Sequence, residues 1–340
     1  MAKASAGRSV GLEIDYGTVR AVEATGTPNA PRLVAMASHP LPEGSVDEGI
    51  IIDSQQVGET LRELWSTGQV KYRKVILGIS NQGVLVRQTI IPKIKIGKEK
   101  INNVIRFQAQ ELLPVALDGV VMDYMITGET TAEGNPAYEV LIVAARREML
   151  NGFLEALKVA KLEAADIDVS TLALMRILPE SATNRTVAVI NIANGLSNII
   201  IYDRGRPRLA RLLPIKLIGL AEKMSVSLSS VLKAADNSSG EKRKIYNEWL
   251  NELITETGSS LSYYQNQESA INLEAIILNG RGALLSGLAG LLENSLGIPV
   301  RITNPFTSYV NISKKADKVG FEAVKYAISA GLAQRGLEGS

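Results

Sequence analysis

The chain has 340 residues, 46% of them hydrophobic and 21% charged, with 37 basic against 35 acidic side chains. That length fits two domains or one bilobal unit; the composition excludes wholesale disorder, and a net charge of +2 leaves no electrostatic footprint for nucleic acid. The absence of cysteine and the single histidine, His39, exclude disulfides, thiolate nucleophiles and multi-histidine metal sites, so chemistry must rest on backbone amides, carboxylates, hydroxyls and amines.

Met1 to Ser9 is short and polar and lacks the apolar core of a signal peptide, and no apolar run reaches the ~18 residues of a spanning helix. The expectation is a cytoplasmic protein. Val10 to Ile14, Val19 to Ala24 and Leu33 to Ala37 predict strands punctuated by Gly17, Gly26 and Pro28. Ser54 predicts the cap of a helix through Trp65, with Val57, Leu61 and Leu64 on one face. His39, beside Pro40 and Pro42, reads as a loop residue. Val75 to Ile79 and Val84 to Ile91 are β-branched and strand-like, and Lys98 to Leu112 is helical by the spacing of Ile101, Val104, Ile105 and Gln108. The basic run from Lys93 to Lys100 reads as a solvated edge or a contact for lipid headgroups. Strands follow at Val120 to Ile126 and Tyr138 to Ala144, around a loop from Thr127 to Pro136, then a helix over Arg147 to Val159.

A second half opens with a hairpin, Val187 to Ile192 and Asn198 to Tyr202, continued by a strand from Arg208 to Leu213. Asp236 to Lys244 reads as a polar loop before a long helix from Ile245 to Gln265. Glu252 on that helix reads as a surface charge or a ribose contact. Ala275 to Leu278 predicts a short strand running into Asn279-Gly280-Arg281-Gly282-Ala283 and a helix with a stripe of Leu284, Leu288, Leu291, Leu292 and Leu296. A last helix spans Phe321 to Ala333.

Two stretches share a pattern: Leu12-Glu13-Ile14-Asp15-Tyr16-Gly17-Thr18 and Ile190-Asn191-Ile192-Ala193-Asn194-Gly195-Leu196, their glycines 178 positions apart. The alternatives are chance likeness between two hairpins and a duplication that sets two related lobes around a cleft. Small-residue turns expose backbone N–H groups that can bind anions, so two such turns face to face would suit a polyphosphate. The Gly280 to Ala283 turn, between a strand and a helix, would admit a flat ligand and add a helix N-terminus. Thr18, Asn194 and Ser197 either hydrogen-bond phosphate or satisfy their own turns.

These residues resemble the actin-like ATPase superfamily, and within it the type IV pilus assembly protein PilM family, relatives of FtsA. The likeness rests on Gly11-Leu-Glu-Ile14, Val19-Arg-Ala-Val-Glu23, the Ala-Gln-Glu-Leu-Leu-Pro run before Val120-Val-Met-Asp-Tyr124, Leu261-Ser-Tyr-Tyr264, Ile276 to Leu292, Gly297 to Phe306 and Tyr326 to Leu332. It implies an α/β, actin-like bilobal fold of two ribonuclease-H-like domains with a small inserted subdomain in the first. The boundaries would be 9–83 with 146–180 for the first lobe, 84–145 for the insert and 181–335 for the second. It also implies a cytoplasmic protein peripheral at the inner membrane. A PilN-like partner would dock its N-terminal cytoplasmic peptide near the first lobe and the insert, and PilO and the pilus machinery would couple through PilN.

The resemblance further implies ATP and Mg²⁺. Nucleotide would be held by Asp15, Tyr16, Gly17, Thr18, Arg20, Asn191, Asn194, Gly195, Ser197, Gly280, Arg281, Gly282 and Ala283, and the metal by Glu13 and Asn191. Glu13 has a plain reading too, as a strand-end charge; Arg20 either neutralises phosphate or is an exposed strand arginine, and Arg281 either stacks on adenine or faces solvent. Several positions depart from the family pattern: Asp15 replaces glycine, Tyr16 a small residue, Asn191 an aspartate and Ala193 a glycine. A carboxylate about 4 Å from a phosphate costs on the order of 4 kcal/mol at an effective dielectric of ~20, roughly a thousandfold in affinity, unless it turns outward or meets Mg²⁺. Loss of a negative metal ligand at 191 weakens hydrolysis more than binding. The expectation is an adaptor with little or no ATPase activity. A working ATPase and an FtsA-like, self-associating filament former are the rival readings.

Overall fold

The computed structural model describes residues 7–93, 98–267, 270–310 and 320–338. Strand β1 (Gly7–Asp15) turns at Tyr16 and Gly17 into β2 (Thr18–Thr27), which pairs with β3 (Ala30–Pro40). Gly17 has φ 67°, a left-handed backbone that glycine adopts without strain. His39 lies in β3 opposite Val19, a strand residue where a loop was expected. The short pair β4 (Val46–Asp47) and β5 (Ile50–Ile51) precedes helix α1 (Ser54–Ser66). Asp53, not Ser54, caps this helix. The Val57 N–H already bonds the Asp53 carbonyl, and Asp53 Oδ1 accepts the Gln56 N–H at 2.9 Å, leaving Ser54 Oγ to donate to the Gly152 carbonyl.

Strand β6 (Lys74–Ile79) leads into the insert: β7 (Val84–Pro92), α2 (Lys98–Leu112), β8 (Val120–Ala132) and β9 (Asn135–Arg146). The Thr127–Pro136 loop is in fact strand. Only Glu133 and Gly134 turn, both with positive φ, and the polar residues around them pair across the hairpin. Ile105 and Ala109 of α2 pack on Val140, Ile142 and Ala144 of β9 in a small separate core. Lys93 is partly exposed and pairs with Glu129, while residues 94–97 of the basic run lie outside the described residues.

Helix α3 (Arg147–Val159) matches its sequence bounds and buries Met149, Leu150, Phe153 and Leu157. Strand β10 (Glu163–Val169), which alternates acids with apolar residues, has no counterpart among the predicted elements, nor do helices α4 (Ser170–Ala173) and α5 (Glu180–Thr183). The second half builds β11 (Thr186–Asn191), β12 (Ser197–Asp203), β13 (Arg206–Leu213), α6 (Leu217–Lys223), α7 (Val231–Asp236) and α8 (Gly240–Gln265). Helix α8 takes in Glu241 to Lys244, four charged residues expected in a loop; these side chains face solvent before the core stripe begins at Tyr246. After β14 (Ala275–Asn279) comes a 3-10 turn (Arg281–Leu284), then α9 (Leu288–Leu296), where Leu291 is exposed rather than core, then β15 (Val300–Ile302). The last segment is a 3-10 stretch (Gly320–Tyr326) continued by α10 (Ala327–Glu338).

The sheets have matching topology. One runs β3-β2-β1-β6-β10 and the other β13-β12-β11-β14-β15, each with three antiparallel strands followed by two parallel ones. A duplicated unit accounts for both. Apolar side chains of α10 and of the 172–178 segment fill the space between the sheets, against Val22 and Ile76 on one side and Val189, Ile200 and Ile277 on the other. Helices α1 and α3 cover the outer face of the first sheet, and α6 to α9 that of the second. The close seat of α10 depends on Gly11: a Cβ there would stand 2.0 Å from the Ser329 carbonyl oxygen.

Candidate functional site

Each lobe offers the turn after its central strand, and the two turns touch. The Asp15 side chain points into the cleft. Its Oδ2 accepts the Asn194 N–H at 3.1 Å, and its Oδ1 accepts the N–H groups of Gly195 at 3.0 Å and of Tyr16 at 2.8 Å. Outward rotation and a bound metal were the expected escapes from charge repulsion; two backbone amides of the second turn take that role here. Asn194 completes the junction, donating Nδ2–H to the Tyr16 carbonyl at 2.9 Å and accepting from Arg281 Nη1 at 3.1 Å.

Arg281 is half-buried and lines the hollow at the cleft mouth. It also donates to the carbonyls of Leu228 and Ser229, tying the third turn to the second. Burial, with Arg20 nearby, holds its guanidinium below the ordinary arginine value. Behind the junction, Arg20 donates to Glu13 Oε1 at 3.0 Å and stands 3.5 Å from Asp15 Oδ2, with all three side chains buried. Burial pushes the Glu13 carboxyl up to about 7, against the pull of Arg20 and with help from Asp15. Glu13 Oε2 has no hydrogen-bond partner.

The remaining expected residues are satisfied by their own chain. Thr18 Oγ1 donates to the His39 carbonyl. Ser197, fully buried, donates to the Ile215 carbonyl and accepts the Ala193 N–H. Asn191 is buried in register with Asn198 and Asn279. Gly280 and Gly282 lie against Ile192: added Cβ atoms would stand 2.4 Å from its carbonyl oxygen and 2.2 Å from its Cγ2. Their smallness serves packing of the turn on the end of β11. Ala283 is core, and Glu252 is exposed on α8.

At the junction itself, these residues as arranged do not fit a phosphate with Mg²⁺. The amides that would face a phosphate hold Asp15. The space bounded by Glu13, Asp15, Ser80 and Ser170 is about 30 Å³, room for little more than one water. A cation at Glu13 would sit beside Arg20, and the described residues contain no group of three His, Asp or Glu able to hold a metal. Outside the junction, at the mouth of the cleft, a 380 Å³ hollow is lined by six of the residues expected to hold nucleotide, Tyr16, Gly17, Thr18, Arg20, Asn194 and Arg281, with His39 and Lys325 beside them.

A larger concavity lies between the first lobe and the insert. Strand β10 is the edge of its sheet and β8 the edge of the insert's sheet, and the two edges bound a groove of about 740 Å³. Its wall carries Val121, Met125 and Leu154, each 41 to 44% exposed, with Tyr124 and Ile167 beside them. Asp166, Asp168, Arg176 and Arg335 pair with one another at one end.

The model of the type IV pilus assembly protein PilM family matches residues 11–211 and 231–337. The chain belongs to that family. Its fold is the actin-like bilobal one. The PilM-PilN type IV pilus biogenesis complex superposes with a TM-score of 0.84 at 26% identity, covering 97% of this chain and 98% of that one. The ethanolamine utilization protein EutJ of Carboxydothermus hydrogenoformans aligns at a TM-score of 0.57 and 12% identity over 96% of this chain and 89% of that one. A diol dehydratase-reactivating factor in its nucleotide-free form gives 0.52 and 9% over 97% and 100%. The last two show a shared fold alone.

For this PilM-family chain the sequence placed Asp15, Tyr16, Arg20, Asn194, Gly195 and Arg281 together, and they do meet. It pointed to a peptide site near the first lobe and the insert, where the groove lies, but named none of the residues that line it. Val121 falls in the Val120–Tyr124 run that carries the family resemblance, but nothing in the sequence singles out Met125, Leu154 or Ile167 as groove residues.

Proposed function

We propose that this chain is an adaptor of the type IV pilus assembly platform that captures the N-terminal cytoplasmic peptide of a PilN-like membrane partner. The observation that carries the reading is the groove between the edge strands β8 and β10, with exposed apolar side chains on its wall. Two unpaired edges offer backbone donors and acceptors to an extended peptide, and the apolar wall offers pockets for its alternate side chains. The solved PilM-PilN complex supports this choice of partner. Through PilN the chain would sit at the inner membrane and couple to PilO; no helix among the described residues is long and apolar enough to cross a membrane.

The groove belongs to a first lobe of residues 9–83 and 146–180 and an insert of 84–145, with 181–335 as the second lobe and α10 wedged between the sheets. The cleft between the lobes is a degenerate nucleotide site in which ATP binds weakly at most and is not hydrolysed; the occupied amides around Asp15 support that reading. Calorimetric titration with the synthetic N-terminal peptide of the PilN-like partner tests the function. Saturable one-to-one binding without nucleotide is expected, and no binding at millimolar peptide would refute it.

A further inference from the structure

We infer that Asp15 is a built-in occupant of the anion seat, a carboxylate that clasps the two lobes in the place where a ligand's phosphate would otherwise bridge them. The inference deepens the reading of the cleft as degenerate and rests on it. Consecutive backbone N–H groups converging on one point form an anion-binding concavity. Here the amides of Asn194 and Gly195 converge on the two oxygens of one carboxylate from the opposite lobe. The first turn supplies the anion and the second the amides; at the position matching Asp15, the second turn has Ala193 and no charge.

Three further features fit an occupant rather than a chance contact. Gly195 lacks the Cβ that would crowd Asp15 Oδ1 at 3.2 Å. Arg20, buried, stands 3.5 Å from Oδ2 as counter-charge. Asn194 locks the turn from both ends of its amide, to the Tyr16 carbonyl and to Arg281. Other bonds cross between the lobes on the same side: Ser80 and Thr171 both donate to Asn198 Oδ1 at 2.7 Å, and Lys216 pairs with Glu48. A lobe closure that elsewhere needs a ligand with higher affinity for the closed form is here supplied by the chain itself.

The test is amide hydrogen exchange at Asn194 and Gly195, read by NMR on the full chain with inorganic phosphate and then ATP as probes. In the wild type both amides should be protected without ligand, and neither probe at 10 mM should change that. Asp15→Gly should raise exchange at both by about tenfold or more, and inorganic phosphate should restore protection by occupying the vacated amides. Unchanged exchange in Asp15→Gly would overturn the clasp, as would wild-type protection that rises with phosphate or ATP. If Asp15→Gly does not fold, Asp15→Asn, which keeps the shape, removes the charge and leaves a single acceptor oxygen, should speed exchange at one or both amides, and no change at either would equally overturn it. Hydrolysis of ATP by the wild type, followed separately, bears on the reading of a degenerate cleft; unchanged exchange without hydrolysis defeats the clasp alone.

Discussion

Asp15 and Gly195 lie 180 residues apart in sequence and meet across the cleft, the carboxylate accepting the glycine N–H at 3.0 Å. The approach needs a bare α-carbon, because a Cβ at 195 would stand 3.2 Å from Oδ1. Asp15 cannot simply retreat, since two other amides hold it. Gly195→Ala should therefore lengthen the contact and cost about 1 kcal/mol, within the usual range for a point substitution. Urea denaturation measures it, and an unchanged midpoint would contradict the strain argument.

Glu13 gives the fold a pH dependence with a definite sign. Its folded pKa of about 7 lies above the ordinary 4.5, so the folded state holds this proton more tightly than the unfolded chain. The contribution is fully favourable below pH 4.5, declines as pH rises, and is gone above about pH 7. At 1.36 kcal/mol per pH unit, the loss across that window is about 3 kcal/mol from this group. Glu13→Gln, which cannot ionise, should flatten the profile between those limits. An identical slope in wild type and variant, from denaturation at a series of pH values, would count against the burial argument.

Gly11→Ala should be far more damaging than a typical surface change. The added Cβ would meet the backbone of α10 at Ser329 and Ala333, 2.0 and 2.5 Å away, and backbone cannot rotate aside. Prising α10 from the first sheet should cost at least ~3 kcal/mol, a large share of a domain's total stability. Thermal unfolding followed by circular dichroism is the check, with a lowered or lost cooperative transition expected.

Leu154 and the peptide groove give a prediction that spares the fold. The side chain is 44% exposed, so Leu154→Glu should leave the melting temperature within a degree or two of wild type. A charge on the apolar wall must be desolvated when the peptide docks, so affinity should fall at least ~10-fold. Equal affinities by calorimetry would place the peptide elsewhere.

The duplication was legible because Glu13-Ile-x-x-Gly17 and Asn191-Ile-x-x-Gly195 sit at identical points of two sheets with identical strand order. The helices with strong apolar stripes, such as Arg147–Val159, were legible for the same local reason. Strand β10 was not, since Glu163-Ala-Ala-Asp-Ile-Asp-Val is short, carries three acids and only two β-branched residues, and its pairing with β6 is a long-range event. The cleft was half legible. Sequence brought Asp15 and Gly195 to one place, but an aspartate in a turn does not reveal which amides it will accept. Gly280 and Gly282 look ligand-facing in sequence, and sequence does not show that Ile192 packs against both.

The most direct test of peptide capture is hydrogen exchange across the whole chain with and without the PilN-like N-terminal peptide. The account predicts slowed exchange in Glu163–Val169 of β10 and along Val121 to Met125 of β8, the two edges of the groove. Protection confined to the cleft mouth around Tyr16, His39 and Lys325, with both edge strands unchanged, would contradict it.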